Sequence, residues 1–261
     1  MKIYILCDME GTSGIWQPEQ TDLVSAQYQQ GRSLLVADVN AAIAGALAGG
    51  ATELVVCDTH AMGRNFIIEK MADDPRVVYE TPTADSALPA LDESFDGLIL
   101  TGHHAMAGTL NGFLDHTMSS AHWFSMTLNG RPVGEIGLET AVAGHFAVPL
   151  IMVAGDRAAC EEAEAMFPGV VTAQVKEGLG RNRARCLPPA RGQALIRTRA
   201  AEAVAKAKEL KPWKPDLPIT LELTFTRADY ADEAAANPDV ERIDARTCRK
   251  VVPTADQVCG F

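Results

Sequence analysis

The sequence predicts an α/β protein with a mostly parallel central sheet and flanking helices, joined to a smaller carboxyl-terminal α+β part. Three observations carry this. Short apolar runs at residues 2–8, 53–57, 97–101 and 149–153 read as buried strands. A long segment of helical periodicity separates the first two, which makes a βαβ unit with parallel strands. Beyond residue 210 the pattern changes to alternation, with Ile, Leu, Leu and Phe spaced by Thr and Glu over Ile219 to Thr226. The expected division is a body over residues 1–155 and a smaller part over 156–261 that completes the subunit and forms an oligomer interface.

In order, the first strand covers residues 2–8, and Gly11 to Gly14 follow as a loop. A short helix is expected over Leu23 to Gln30. A long one is expected over Arg32 to Leu47, where Leu35, Val36, Val39, Ala42, Ile43 and Ala46 keep helical spacing and Gly49-Gly50 ends it. Glu53 to Cys57 is the second strand, Arg76 to Tyr79 a short one, Asp85 to Leu91 a helix, and Gly97 to Thr101 a strand. Met106 to Ser120 is a long loop, and long loops in compact domains are often functional. Trp123 to Leu128 and Arg131 to Val133 flank Asn129-Gly130, a strong hairpin signal. A helix then runs from Gly134-Glu135 to about Phe146, followed by a strand at Pro149 to Val153 and a helix at Asp156 to Met166. In the last third, Val170 to Val175 reads as a strand, Gly178 to Arg185 as a basic loop, and Pro189 to Leu210 as a long helix. Thr247 to Val252 is expected to pair with the alternating strand.

The chain has 261 residues, 47% of them hydrophobic, which is ample for a packed core. Its net charge of −11 argues against nucleic acid or an anionic membrane as partner. No apolar run approaches the ~18 residues of a membrane helix, and the amino-terminal run is broken by Asp8 and Glu10, unlike a secretory signal. The six cysteines show no CxxC spacing and read as reduced thiols of a cytoplasmic protein.

Chemistry-bearing residues collect at strand ends. Asp8 and Glu10, two apart after the first strand, are expected to project to one side. Two like charges held that close call for a cation or a raised pKa. His60 follows the second strand, His104 the third long one, and Glu135 begins a helix; His116 lies on the long loop. The βα junctions of one sheet meet at one edge. Carboxylates and imidazoles without a thiolate make a ligand set for Zn²⁺, Mn²⁺ or Co²⁺, and a bridging carboxylate allows two ions. Each residue also has a plainer role: Asp8 and Glu10 as turn or cap residues, His60 and His116 as loop histidines, Glu135 as a helix-dipole partner. Asp58 either orients an imidazole or caps a turn. Alternation sends His103 and His104 to opposite sides, so at most one is a direct ligand. His122 and His145 read as structural.

Together, Asp8-Met-Glu10-Gly11, Asp58-Thr-His60, Gly102-His-His104-Ala105, His116-Thr, Gly130-Arg-Pro-Val-Gly134-Glu135-Ile-Gly137 and Pro149 to Asp156 resemble the zinc-dependent D-aminopeptidase family, in family order over about residues 1–200. The family's pattern continues beyond its last strand into a further helix, whereas this sequence ends at Phe261. The resemblance implies two zinc ions held by Asp8, Glu10, His60, His104 and Glu135, with His116 as the catalytic histidine. It implies hydrolysis of the amino-terminal residue of short peptides with D-residues, such as D-Ala-D-Ala, in a ring-shaped decamer. His116 then serves as general base or acid, or attacks directly, while Asp58 and His103 support the ligands. The rival readings are another metal-dependent amide or phosphoester hydrolase, and a non-catalytic metal- or peptide-binding protein.

Overall fold

The computed structural model describes residues 1–83 and 86–261. In chain order its elements are β1 (Lys2–Cys7), α1 (Tyr28–Ala48), β2 (Glu53–Asp58), β3 (Val77–Glu80), β4 (Gly97–His103), β5 (Trp123–Leu128), β6 (Arg131–Pro132), α2 (Glu135–His145) and β7 (Leu150–Asp156). There follow α3 (Arg157–Met166), β8 (Val171–Gly178), β9 (Ala184–Cys186), α4 (Pro189–Lys206), β10 (Ile219–Phe225), α5 (Ala228–Ala234), β11 (Val240–Arg242) and β12 (Thr247–Val252). Seven strands form one sheet in the order β3-β2-β1-β4-β7-β8-β9, parallel except for the edge strand β9. Five form an antiparallel sheet, β11-β12-β10-β5-β6.

The pleat of β1 divides the core in two. Ile3, Ile5 and Cys7 pack with Leu35, Val39 and Ile43 of α1 and with Ile196 and Ala200 of α4. Tyr4 and Leu6, pointing the other way, join Ile136 of α2, Ala163 of α3 and Leu221 and Leu223 of β10. The molecule is thus layered as helices, parallel sheet, then α2, α3 and the second sheet. Residues 1–155 and 156–261 do not coincide with the sheets: β8 and β9 belong to the first, and β5 and β6 to the second.

Several local expectations change. The short helix expected over Leu23 to Gln30 is not separate; residues 23–27 form turns and α1 starts at Tyr28. At 21 residues α1 is long and apolar enough to cross a membrane by length and mean composition, although Arg32, Asp38 and Asn40 interrupt its apolar run. Its apolar face is instead buried, and it lies so close to α4 that a Cβ on Gly45 would sit 2.3 Å from the Arg197 carbonyl. Ser86 to Leu91 holds bends and a turn rather than a helix, and Asp85 lies outside the described residues. The basic loop ends in β9, and its Arg181 and Arg185 pair with Asp115 and Glu177. The hairpin forms at Asn129-Gly130, both with positive φ (49° and 77°), as a tight primed turn requires. All six cysteines are free thiols.

Candidate metal centre and cavity

The carboxyl ends of β1, β2 and β4 carry the site, at the sheet edge where open α/β folds place ligands. β1 stops at Cys7, so strand alternation does not orient Glu10. A turn does, closed by the Thr12 amide donating to the Met9 carbonyl (3.0 Å) and the Gly11 amide to that of Gly102 (2.6 Å). Gly102 makes this crossing possible: its φ is +75°, and a Cβ there would lie 1.9 Å from the Asp8 carbonyl oxygen.

Five of the expected residues converge. His60 Nδ1 lies 3.1 Å from both Asp8 Oδ1 and Glu10 Oε2. His104 Nε2 lies 3.3 Å from Asp8 Oδ2 and 3.5 Å from Glu135 Oε1. Asp8 therefore offers one oxygen to each imidazole. Three buried atoms in this group, Asp8 Oδ2, Glu10 Oε2 and His104 Nε2, have no hydrogen-bond partner. Buried polar atoms are rarely left so. Asp8, Glu10 and His104 can each place a donor atom within reach of one ion, and so can His104, His116 and Glu135. The residues present fit a divalent cation.

Electrostatics point the same way. Burial alone would lower the pKa of His60, but the carboxylates of Glu10 and Asp8 outweigh it and raise it to about 12. Burial likewise opposes a charge on His104, and Glu135 and Asp8 override it and push its pKa well up. Burial would raise Asp8, but the imidazoles of His104 and His60 beside it hold it well below the usual carboxylate range. Glu135, which burial would raise, is drawn down to about 2 by His104. Three carboxylates thus demand positive charge, which protons or a metal can supply.

His116 sits beside this group. Its ring stacks on His104 with centroids 4.0 Å apart, and Nε2 is 3.7 Å from Glu135 Oε1. Its Nδ1 is 2.8 Å from the Leu114 carbonyl. Leu114 and Met118, two residues either side, both have positive φ (53° and 56°), a costly backbone for residues of their type. The Met118 amide donates to Glu135 Oε1 (2.7 Å), tying the loop to the start of α2.

The supporting residues differ from expectation in detail. Asp58 does not touch the His60 ring. It accepts from the Asn65 amide (2.6 Å) and side chain (2.8 Å), and Asn65 in turn donates to the His60 carbonyl. It acts on the His60 backbone. His103 turns away from His104 and pairs with Glu139 (2.7 Å), both buried. His122 packs on Tyr230, and His145 lies 3.9 Å from Asp256. Sequence reasoning missed Glu139, although it stands four residues after Glu135 on one helix face. It also missed Lys176, a buried lysine on β8 that donates to the carbonyls of Glu10 (2.7 Å) and Ile15 (2.6 Å) and so pins the turn after β1. The site opens into a cavity of about 1190 Å³ that also reaches Ser119, Ser120, Lys250 and Gly260.

Fold and site define an α/β protein whose parallel sheet presents a carboxylate–imidazole centre suited to divalent cations in a large cavity. The D-aminopeptidase family model, Peptidase_M55, matches residues 1–261, and the chain belongs to this family. A D-aminopeptidase of Bacillus subtilis (strain 168) is 36% identical over 244 residues, covering 92% of this chain and 87% of the relative. A solved structure described as the Zn-dependent D-aminopeptidase DppA from Bacillus subtilis, a self-compartmentalizing protease, superposes with a TM-score of 0.94. It is 33% identical and covers 99% of this chain and 94% of its own.

Proposed function

We propose that this protein is a zinc-dependent aminopeptidase that removes the amino-terminal residue of short peptides containing D-residues. The observation that carries it is the convergence of Asp8 Oδ2, Glu10 Oε2 and His104 Nε2, buried and unpartnered, in a chain of the D-aminopeptidase family. Asp8, Glu10, His60, His104 and Glu135 would hold two divalent ions. Bound zinc supplies a Lewis acid for the scissile carbonyl and lowers the pKa of a water.

His116 moves the proton. With Nδ1 donating to the Leu114 carbonyl, the neutral ring keeps its lone pair on Nε2, the nitrogen toward Glu135. That nitrogen takes a proton as water attacks the peptide carbonyl, and returns it to the departing amine when the C–N bond breaks. The stacked His104 ring and the Leu114 carbonyl fix its orientation. Asp58, through Asn65, holds the His60 backbone, and His103 with Glu139 backs the other side.

The chain is proposed to assemble with copies of itself, in the finer reading as a decameric ring. The relative described as a self-compartmentalizing protease supports this reading. The test of function is metal analysis beside turnover of D-Ala-D-Ala and L-Ala-L-Ala. Two zinc ions per chain and D-selective cleavage are expected. Cleavage of a phosphodiester in place of either peptide, or bound metal with no hydrolysis, would overturn the proposal.

A further inference from the structure

Six carboxylates line the cavity, and among the described residues Lys250 is the only lysine or arginine that does. Its place in the fold is unusual for a lysine. On β12 it shares a face with Cys248 and Val252, which are 0% and 1% exposed. Its partners across the two neighbouring strands are Leu221 and Val240, both in the core. Patterning alone calls for an apolar side chain here. The adjacent Arg249, on the other face, is spent on Glu222 (2.7 Å) and Glu241 (3.3 Å). Lys250 has no carboxylate partner among the described residues, and its ammonium donates only to the Gly260 carbonyl, at 3.3 Å. An ammonium carries three donors, so two are left for a ligand.

We propose that Lys250 is a specificity-determining residue that receives the α-carboxylate of a short peptide whose amino-terminal residue lies at the Asp8–His104 cluster. The inference rests on the aminopeptidase reading and deepens it. Away from the metal centre, acids in the wall disfavour a substrate carboxylate, and Lys250 is the one lysine or arginine among the described lining residues that can receive it. The substrate class is therefore short peptides with a free carboxyl end, and an amide-capped peptide of the same sequence forgoes this contact.

The test compares D-Ala-D-Ala with its carboxyl-terminal amide on the zinc-loaded full chain and on Lys250→Met, Lys250→Gln and Lys250→Arg. Turnover is measured, and binding is measured separately by calorimetry in a His116→Ala background. Lys250→Met should raise KM and Kd for the free acid about ten- to a hundredfold, leave kcat and the amide nearly unchanged, and keep zinc content and Tm. Lys250→Arg should recover most of the loss, and Lys250→Gln should behave like Lys250→Met should the latter fold poorly. Equal losses for acid and amide, or none for either, would overturn the inference while leaving the hydrolase reading intact. A parent that binds the acid tighter than the amide yet cleaves neither would overturn the hydrolase reading alone.

Discussion

His116 and the ligand-type side chains around it make separable claims at the residue scale. His116→Ala should keep its zinc and lose about 10²–10⁴ in kcat, the usual range for a missing acid–base group; metal analysis beside turnover checks both. His104→Ala should instead lose zinc and activity together, since among the described residues it removes the one imidazole facing both Asp8 and Glu135. The placement of Asp8, His60 and His104 was legible because βα junctions share one edge of a sheet, whereas Glu135 arrives from the start of α2, after β6 of the second sheet. Glu10 reached the site for a reason other than the expected one, a turn rather than alternation. Glu139 had only its spacing from Glu135 to mark it, and Lys176 and Lys250 were not legible: each is an ordinary lysine in sequence, and only burial of the one and the cavity-wall position of the other make them exceptional.

At the scale of elements, glycines decide how closely segments pass. Gly102→Ala would set a Cβ against the Asp8 carbonyl in a left-handed backbone. It should lower stability by about 2 kcal/mol or more and loosen zinc binding, read by denaturant midpoint and metal titration. Gly45→Val, at the contact of α1 with α4, should cost about 1–3 kcal/mol through overpacking with zinc affinity unchanged. Most elements were readable from periodicity, including the hairpin at Asn129-Gly130 and the pairing of β10 with β12. The helix expected after Asp85 failed over Ser86 to Leu91, where Ser86, Pro89 and the turn at Leu91 compete with it. The partition of strands between the sheets was not readable, because periodicity assigns a face to each strand but no partner.

For the whole molecule, stability should depend on pH and on metal. Burial raises the pKa of Asp38 to about 6, although the Ser13 amide donates to it. Between about pH 4 and 6 the unfolded chain gives up this proton and the folded one keeps it, so Asp38 costs stability progressively as pH rises. By about pH 6 the penalty is on the order of 2–3 kcal/mol. Asp38→Asn should therefore gain on the parent from pH 4 to 6, as followed by chemical denaturation. A chelator should lower Tm and zinc restore it, since a ligand at a hundred times its Kd contributes about 2.7 kcal/mol.

The interleaving of the two sheets also bears on synthesis at the ribosome. The hairpin of β5 and β6 leaves the exit tunnel well before β10, its only other partner strand, which lies roughly 90 residues later. At translation speeds of about 5–20 residues per second, its open edge waits on the order of 5–20 seconds for cover. Ribosome-held chains with residues only up to 218 outside the tunnel should accordingly recruit a holdase chaperone, and those with residue 252 also outside it should release it.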